Sequence, residues 1–565
     1  MNQFFIFFTI SILFLACADN SSVNSTDKIS YLQNLENDNN ISYDKIINTR
    51  ASYITSMCYT KTEDNVTGAI SNPCYSCHTV GKIPNYYNDT NLQLEYNFPH
   101  EIMKNPYINL FKDRSVEVQK ISDESILEYV RESNYIDTNG TIILADKLPE
   151  SWKGYKPDCY FNFDDEGFDK DNNNEYTLWR AFRYYPFLGT FWPTNGSTDD
   201  VMIRLAKVFS QDDKGSFDLE VYKLNLKIVE SLIKNKDVNL PTAIDEVLYG
   251  VDLNQNGTLD SSTQIIITTY DKMSYVGKAK EFLEKGNVHL ALGLFPVGTE
   301  FLHSVRYLDW DNTKNHIKMS QRMKELRYAK KYTWKTYSEI KRIASSELQE
   351  ALALDNSKAV MATFRGSYEE GLNNDIGWIY QGFIEDKQGS LRPQTHEETI
   401  NCMGCHSHLG TTTDSVFAYP RMLDGIDKNA HNYAWNHWSQ KGIVGLKEPT
   451  VKYKNHASQY EYSFYLQNNH SANEFRNNDE VQEKFFAKDG KLKQEMIDQL
   501  HNDISILLFP SYERTLTLNK AYKTLVEEQS FIYGRNVSST PMPNVFQEVR
   551  EGQMTNISSA ILRGN

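Results

Sequence analysis

The sequence predicts an α+β fold that is rich in helices and has long loops. Residues 121–130 place apolar side chains three and four positions apart, which is the spacing of one face of a helix. Residues 314–327 and 332–354 are long, charged and free of Pro and Gly, so we expect amphipathic helices there. Residues 217–226 alternate between apolar and polar side chains, and residues 265–269 are a β-branched run, so both are predicted strands.

The remaining segments follow the same mixed pattern. Residues 179–192 are dense in aromatic side chains but are interrupted by Pro186 and Gly189, so we expect buried irregular chain there. Residues 290–308 alternate as strands do. Helices are predicted again at 481–507, with a break at Gly490, and at 516–532.

The charge of the chain excludes one class of partner. The formal net charge is −15 over 565 residues, and it is spread along the chain without a Lys/Arg-rich run. Such a surface repels nucleic acid and favours a basic protein partner. We therefore expect no nucleic-acid binding.

The N-terminus has the pattern of an exported bacterial lipoprotein. Residues 4–16 form an apolar run that suits a signal peptide and is too short to span a bilayer. It ends in Ala16-Cys17, which predicts cleavage before Cys17 and lipidation of that residue, although Phe14 replaces the usual Leu. The alternative is an ordinary cleaved signal in which Cys17 is incidental. Either route predicts the periplasm or cell envelope, with a lipid anchor in the first case.

Two short motifs carry the main chemical signal. They are Cys74-Tyr75-Ser76-Cys77-His78 and Cys402-Met403-Gly404-Cys405-His406. In C-x-x-C-H the two thiols form thioethers with the haem vinyl groups, and the His becomes the proximal iron ligand. With 7 Cys and 13 His in the chain, roughly 0.002 such motifs are expected by chance. A thioredoxin-like redox pair or half of a zinc site does not require the His twice.

The ligand on the other face of each iron separates an electron carrier from a catalyst. His303, in an apolar strand-like segment, is the first candidate for a distal ligand. Weaker candidates are His100, His396, His408, His431 and His437. Candidate partners for haem propionates are Arg180, Arg183 and Arg392, with ordinary salt bridges as the alternative.

Two cysteines remain after lipid and haem are assigned. They are Cys58 and Cys159, and in an oxidising compartment a disulfide between them is one interpretation. Two independent buried thiols are the other interpretation, and the sequence does not decide between them.

Two Asp/Asn-rich loops resemble calcium-binding loops. Oxygen ligands stand at alternate positions in the first loop, with Gly257 for the turn, and Thr263 replaces the closing Glu. Its candidate ligands are Asp252, Asn254, Asn256 and Asp260. The second, looser loop offers Asp169, Asp171 and Asn173. Asx-rich turns without metal are the alternative for both loops.

The two motifs make the chain resemble the di-haem c-type cytochromes. Within that group it has a remote similarity to the di-haem cytochrome c peroxidases and the rubber oxygenases, although its motifs start much further apart, at 74 and 402. The resemblance implies two haem c groups with His78 and His406 as proximal ligands, and it transfers no catalytic residue. Electron transfer with a periplasmic redox partner is the expected function, and a peroxidase-like or oxygenase-like enzyme with one open haem is the alternative.

The motifs and the element pattern together predict six regions. They are a signal peptide and lipidation site at 1–17, a flexible tether at 18–50, a first haem region at 51–150, a mixed segment with the calcium-like loops at 151–310, a helical segment with the second haem region at 311–450, and a C-terminal helical region at 451–565.

Overall fold

The computed structural model of the protein describes residues 54–268, 272–353, 364–407, 409–470, 478–536 and 538–563. The predicted signal peptide, Cys17 and the predicted tether lie outside the described residues, and so does His408. Within the described ranges, no helix has both the length and the apolar character needed to cross a membrane.

An antiparallel sheet of ten strands forms the centre of the fold. The strands are β1 Phe168–Lys170, β2 Tyr176–Ala181, β3 Thr198–Asp199, β4 Met202–Arg204, β5 Val238–Asp245, β6 Ser261–Ile265, β7 Glu300–Asp311, β8 His316–Lys331, β9 Arg365–Ser367, β10 Gly371–Asn373, β11 Trp378–Glu385, β12 Leu391–Pro393, β13 Thr450–Val451 and β14 Gln459–Tyr460. The order in the sheet is β1-β2-β4-β7-β8-β11-β10-β9, with β3 paired to β7 and β12 to β11. The pairs β5–β6 and β13–β14 form two separate small sheets.

Helices and irregular chain surround this sheet. The helices are α1 Ser115–Lys120, α2 Asp123–Arg131, α3 Ile143–Lys147, α4 Leu219–Lys234, α5 Glu246–Tyr249, α6 Lys278–Glu284, α7 Tyr337–Ala353, α8 His396–His406, α9 Glu461–Asn469, α10 Asp479–Phe485, α11 Gln494–Leu500, α12 Ser505–Leu508 and α13 Tyr512–Glu528. The α+β class is therefore confirmed. The sheet continues across residue 310, where the sequence predicted a boundary between two regions.

Several predicted elements are found where the periodicity placed them. The helix predicted at 121–130 is α2, in which Ser122 accepts a hydrogen bond from the Ser125 N–H and Ile126 and Val130 face the core. The helix predicted at 332–354 is α7. The prediction of helical chain with a break at Gly490 is confirmed by α10 and α11, which lie on either side of that residue.

The helix predicted at 314–327 is wrong, because this segment is most of strand β8. It pairs with β7 along nearly its whole length, and from Glu325 onward β8 also pairs with β11 on its other side. Its charged side chains gave a helical pattern, yet Arg322, Lys324 and Glu325 are all buried among neighbours from other elements. Tertiary pairing overrides local helix propensity here.

The strand predicted at 217–226 is also wrong, because the segment begins helix α4. Asp218 caps that helix by accepting hydrogen bonds from the N–H groups of Glu220 and Val221. Nearly every later residue of α4 is buried, including polar ones such as Asn225 and Glu230. The window 217–226 holds only the start of this helix, and there Phe217 to Val221 alternate apolar and polar side chains as a strand does.

Candidate functional site

The second C-x-x-C-H motif occupies the last turn of α8. That helix begins with a capping box, in which Thr395 accepts from the N–H of Glu398 and the Glu398 carboxylate accepts from the N–H of Thr395. Arg392 binds the same carboxylate through two hydrogen bonds of 2.8 and 2.9 Å, and both side chains are buried. The helix is thus held firmly at its start, and it presents Cys402 and Cys405 at its end.

His406 is oriented by a backbone carbonyl. Its Nδ1 lies 2.8 Å from the carbonyl oxygen of Ser415, and because a carbonyl only accepts, Nδ1 must carry the proton. Burial lowers the pKa of His406 to about 4, so the ring is neutral at pH 7. Tyr380 packs against the ring with centroids 4.7 Å apart and also donates to the Ser415 carbonyl. This arrangement leaves Nε2 unprotonated and therefore able to bind a metal ion.

The loop that carries Ser415 is itself held by a buried ion pair. Asp414 and Ser415 have left-handed backbone conformations, with φ of 50° and 63°. The Asp414 carboxylate accepts from Lys331 Nζ at 2.5 Å, with both side chains fully buried, and from the N–H of Phe295 at 2.9 Å. The end of β8 therefore determines where the carbonyl that orients His406 lies.

The first motif lies on a single 3₁₀ turn, Cys74–Ser76, which follows Pro73. The N–H of His78 donates to the carbonyl of Cys74 at 2.8 Å, so the His directly continues the turn. Its Nδ1 lies 2.7 Å from the Asp89 carboxylate. Burial alone would lower the pKa of His78, but the Asp89 carboxylate raises it to about 10.

Both motifs face one cavity of about 240 Å³. From the motifs it is lined by Cys77, Cys402, Cys405 and His406. Its aromatic lining is Tyr184, Phe187, Phe191, Phe301, Tyr328, Tyr380 and Phe417. Its volume is slightly below the roughly 300–1,000 Å³ of typical small-molecule pockets. Two motifs that start 328 residues apart, at 74 and 402, thus meet at the same place.

The loops that follow the two motifs also touch directly. Asn85 donates through Nδ2 to the carbonyl of Leu409 at 2.5 Å and to that of Thr412 at 3.3 Å. The Gly410 backbone approaches the Thr79 carbonyl so closely that a methyl group at Gly410 would collide with it. The juxtaposition of the motifs therefore rests on specific contacts between their loops.

His303 lies on β7 and lines the same cavity as His406. Its Nδ1 is 2.5 Å from the carbonyl oxygen of Asp200, so Nδ1 carries the proton. Its Nε2 is buried and has no hydrogen-bond partner among the described residues. Burial lowers the pKa of His303 to about 4, so the ring is neutral. The structure thus places the predicted distal candidate in the cavity of the second motif.

Sequence reasoning missed two further polar groups in this cavity. Asp199 ends β3 with its carboxylate 3.8 Å from His303 Nε2, and burial raises its pKa to about 8. Arg327 lies on β8, and it was not recognised as a cavity residue because the sequence predicted a helix there. Its guanidinium also pairs with Glu325. The adjacent Asp199-Asp200 pair after an aromatic-rich segment was the available signal for the first group.

The other candidate histidines lie elsewhere. His100 and His431 are exposed. His396 begins α8, at the end opposite the motif. Both nitrogens of His437 are engaged, Nε2 with the Asp200 carboxylate at 2.9 Å and Nδ1 with the Ser439 hydroxyl at 2.7 Å.

The arginines predicted to bind propionates are engaged within the protein. Arg183 donates to the carbonyls of His431, Tyr433 and Gly442. Arg180 stacks on Phe168 and Trp435, and Arg392 binds Glu398 as described above. None of the three lines the cavity between the motifs.

The predicted disulfide between Cys58 and Cys159 is not formed, and both thiols are free. Cys58 lies beside the first motif, where its thiol is 3.5 Å from the Thr55 hydroxyl. Burial would raise the pKa of this thiol, but the neighbouring His78 holds it below its usual value. Cys159 is fully buried in a different cluster, around Trp179 and Met202. Because the two cysteines pack in different regions of the fold, no bond joins them.

The two calcium-like loops differ in how their oxygens are used. In the first loop Asp252 accepts from the N–H groups of Asn256 and Gly257, and the amides of Asn254 and Asn256 donate to Asp260. In the second loop the buried Asp169 carboxylate accepts from the N–H groups of Tyr160 and Asn162 and from the Thr177 hydroxyl. Asp171 instead accepts from the N–H groups of Asn173 and Glu175. Among the described residues, no cluster of three His, Cys, Asp or Glu side chains is arranged to hold a metal ion. Calcium at either loop stays a prediction.

Comparisons with known proteins point to one class of envelope protein. The sequence profile of a family described as “-like lipoprotein” matches residues 45–506. An uncharacterized lipoprotein of Aquifex aeolicus (strain VF5) is 33% identical over 522 residues, which cover 85% of this chain and 84% of that protein. No solved structure matches the chain significantly.

Proposed function

The chain belongs to the lipoprotein family that matches residues 45–506, and from its two C-x-x-C-H motifs we propose that it is a di-haem c-type cytochrome of the bacterial cell envelope that acts in electron transfer. One haem is attached at Cys74 and Cys77, and the other at Cys402 and Cys405. His78 and His406 are the proximal ligands.

The observation that carries this proposal is the shared cavity. Attachment sites at unrelated places would suggest incidental Cys and His residues, whereas Cys77 and Cys405 face the same space. Loop contacts such as that between Asn85 and Leu409 keep the two sites together. Two redox groups attached here would lie close to each other, as electron transfer between them requires.

The donor set around the second motif fits a haem. Two thiols line the cavity, and His406 is neutral with Nε2 available. His303 supplies a second neutral imidazole, and its buried Nε2 has no hydrogen-bond partner among the described residues, although the Asp199 carboxylate lies 3.8 Å away. A buried nitrogen without a hydrogen bond is costly unless a ligand completes it. His303 is therefore the proposed distal ligand, and an iron with His on both faces is suited to carrying electrons.

The first motif fits in a different way. The Asp89 carboxylate orients His78 through Nδ1, which is a common second-shell partner of a metal-binding His. The imidazole loses its other proton when it binds iron, so attachment overrides the raised pKa described above. The carboxylate then makes His78 a stronger donor than His406, which has only a carbonyl partner.

The protein's own side chains shape the site for these groups. A haem supplies a reversible one-electron couple. The aromatic rings exclude water, and the cations that line the cavity and can meet a propionate are Arg327, which also pairs with Glu325, and Arg421, which also pairs with Glu461. Because the cavity of about 240 Å³ is smaller than a haem, the rings of Phe417 and Phe191 are the lining groups that we expect to turn aside.

Lipidation and the redox partner complete the proposal. We propose that Cys17 carries lipid and anchors the chain to a bacterial membrane, with the folded body in the periplasm or at the cell surface. The formal net charge of −15 favours a basic periplasmic protein as the redox partner.

A second candidate function rests on Asp199. An electron carrier does not need an acid in its haem cavity, yet Asp199 lines this one beside His303. A group with a pKa of about 8 holds a proton at neutral pH and can donate it to a bound oxygen ligand. This favours a haem oxidoreductase if His303 leaves the iron open.

The test is to produce the exported protein in a host that attaches c-type haem and to measure its intact mass. We expect two covalent haems in the wild type and one in each of the paired variants Cys74→Ala/Cys77→Ala and Cys402→Ala/Cys405→Ala. A wild-type protein without covalent haem contradicts the proposal.

Low-temperature EPR then separates the two candidate functions. Two low-spin signals, with a high-spin signal appearing in His303→Ala, support the carrier. A high-spin signal in the wild type that shifts with cyanide supports the oxidoreductase.

A further inference from the structure

One backbone carbonyl at the second motif accepts hydrogen bonds from two side chains. The Nδ1–H of His406 donates to the carbonyl oxygen of Ser415 at 2.8 Å, and the hydroxyl of Tyr380 donates to the same oxygen at 3.2 Å. A carbonyl oxygen has two lone pairs, so both bonds can form at once. His406 therefore shares its hydrogen-bond acceptor with a second donor.

The Ser415 carbonyl is held in place by its own turn. The N–H of Thr413 donates to the carbonyl of Val416 at 2.9 Å, and the N–H of Val416 donates to the carbonyl of Thr413 at 3.1 Å. These two bonds close the chain around Asp414 and Ser415, whose left-handed backbone belongs to a small allowed region. The turn fixes the direction of the carbonyl, so the two donors continue to share it.

Tyr380 reaches this carbonyl from the central sheet. It lies on β11, where its backbone pairs with Ala329 of β8 and with Leu372 of β10. Its side chain is buried, and its ring packs against the ring of His406 with centroids 4.7 Å apart. The sheet therefore holds the phenol beside the imidazole of the second motif.

We propose that Tyr380 is a positioning residue that raises the reduction potential of the haem at the second motif by weakening the hydrogen bond of His406. The inference rests on the proposed function, because it requires a haem at Cys402 and Cys405 with His406 as its ligand. Two donors on one oxygen compete for its electron density, so each bond is weaker than it would be alone. A proximal His with a weaker bond at Nδ1 gives less electron density to the iron, which favours the ferrous state.

The two motifs differ in the partner of their histidine. At the first motif the Nδ1 of His78 lies 2.7 Å from the Asp89 carboxylate, an anionic partner that strengthens the imidazole as a donor. At the second motif His406 has a neutral carbonyl, which it shares with Tyr380. Both differences act in the same direction. The haem at the second motif is therefore the higher-potential centre, and it holds the electron in the half-reduced protein.

A spectroelectrochemical titration compares the full-length wild type with Tyr380→Phe, which keeps the ring and removes the hydroxyl. The potential of one haem should fall, and that of the other should stay unchanged. The single-haem variant Cys74→Ala/Cys77→Ala keeps only the haem at the second motif, and there Tyr380→Phe should lower the measured potential. In Cys402→Ala/Cys405→Ala the same substitution should have no effect.

Tyr135→Phe is the matched control. Tyr135 is also a buried tyrosine that donates to a backbone carbonyl, that of Cys159 at 2.9 Å, but it is not among the described residues that line the cavity. Its variant should leave both potentials unchanged. The inference is overturned if Tyr380→Phe lowers neither potential, or if Tyr135→Phe lowers one by as much. A wild type without covalent haem contradicts the proposed function instead.

Proton NMR of the imidazole N–H groups gives a test that does not depend on haem. The sample is the full-length protein with isotope-labelled histidine, made in a host that does not attach haem. The Nδ1 proton of His406 should move downfield in Tyr380→Phe, because a stronger hydrogen bond deshields its proton. His406→Gln identifies this signal by its loss. An unchanged chemical shift of that proton overturns the inference.

Discussion

Replacing Lys331 by Met should be among the most damaging single changes near the second motif. The ammonium group of Lys331 lies 2.5 Å from the Asp414 carboxylate, and both side chains are 0% exposed. The Asp414 carboxylate also accepts from the N–H of Phe295. The next residue, Ser415, holds His406 through its carbonyl. The variant therefore tests both the stability of the fold and the orientation of a proposed haem ligand.

The expected cost follows from the buried charge that remains. Removing one partner of a buried ion pair typically costs about 3–5 kcal/mol. We expect the lower end, about 3 kcal/mol, because burial raises the pKa of Asp414 and the carboxyl can take up a proton. The difference in unfolding free energy between Lys331→Met and the wild type should decrease as the pH falls, because protonation of Asp414 removes the unpaired charge. The double variant Lys331→Met/Asp414→Asn leaves no unpaired buried charge, so its free energy of unfolding should fall by only about 1 kcal/mol.

Urea unfolding at pH 7, followed by tryptophan fluorescence, measures these differences as a double-mutant cycle. Lys330→Met is the matched control, because Lys330 is the neighbour on β8 and its side chain is 43% exposed. It should stay within about 0.5 kcal/mol of the wild type. The reasoning is refuted if Lys331→Met is as stable as the control, or if the double variant is as unstable as the single one.

Three further outcomes are expected. Burial alone would raise the pKa of Glu398, but Arg392 holds it below its usual value. Glu398→Gln should therefore lower the free energy of unfolding at pH 7 by about 3 kcal/mol or more, measured in urea. This loss should become progressively smaller as the pH falls below about 4. A constant difference across that range would contradict this. Burial raises the pKa of Glu448 to about 7, which penalises the folded state as the pH rises from about 4 to about 7. Glu448→Gln should therefore be more stable than the wild type by roughly 2–3 kcal/mol at pH 8 and equal to it near pH 4, and equal unfolding midpoints at pH 8 would exclude this reading. Asp89→Asn should raise the midpoint potential of one haem in a spectroelectrochemical titration, because His78 loses its carboxylate partner; unchanged potentials would show that this carboxylate does not act on the iron.

The sequence predicted correctly those elements of the fold that are stabilised by interactions between residues close together in the chain. Helix α2 has a polar cap at Ser122 and an apolar stripe, and both can be read within ten residues. Strand β8 could not be read in this way. Its charged side chains, such as Lys324 and Arg322, are buried by partners from distant segments, including Glu385 and the Gly196 carbonyl. A pattern that depends on such partners has no signature in the segment itself.

The residues of the candidate site also divide into those that the sequence could predict and those that only the folded structure identifies. Each C-x-x-C-H motif was recognisable because the chemistry of haem attachment confines its thiols and imidazole to five consecutive residues. For Arg392 the sequence left a propionate partner and an ordinary salt bridge open, and the structure shows the salt bridge, whose partner Glu398 could only be identified once the start of α8 was known. The sequence left open whether Cys58 and Cys159 form a disulfide, because it states that they exist but not which neighbours they have, and the structure shows two free thiols.

The sequence by itself determined two C-x-x-C-H motifs, an acidic chain and a lipoprotein-type N-terminus, and from these it predicted the kind of chemistry. The tertiary structure alone decided that Cys77 of the first motif lines the same cavity as the second motif, and that His303 lines that cavity too. The physical reason is the range of the interactions. Covalent attachment and helix capping act over a few neighbouring residues, whereas the meeting of residues 74–78 and 402–406 depends on sheet pairing and loop contacts across more than three hundred residues.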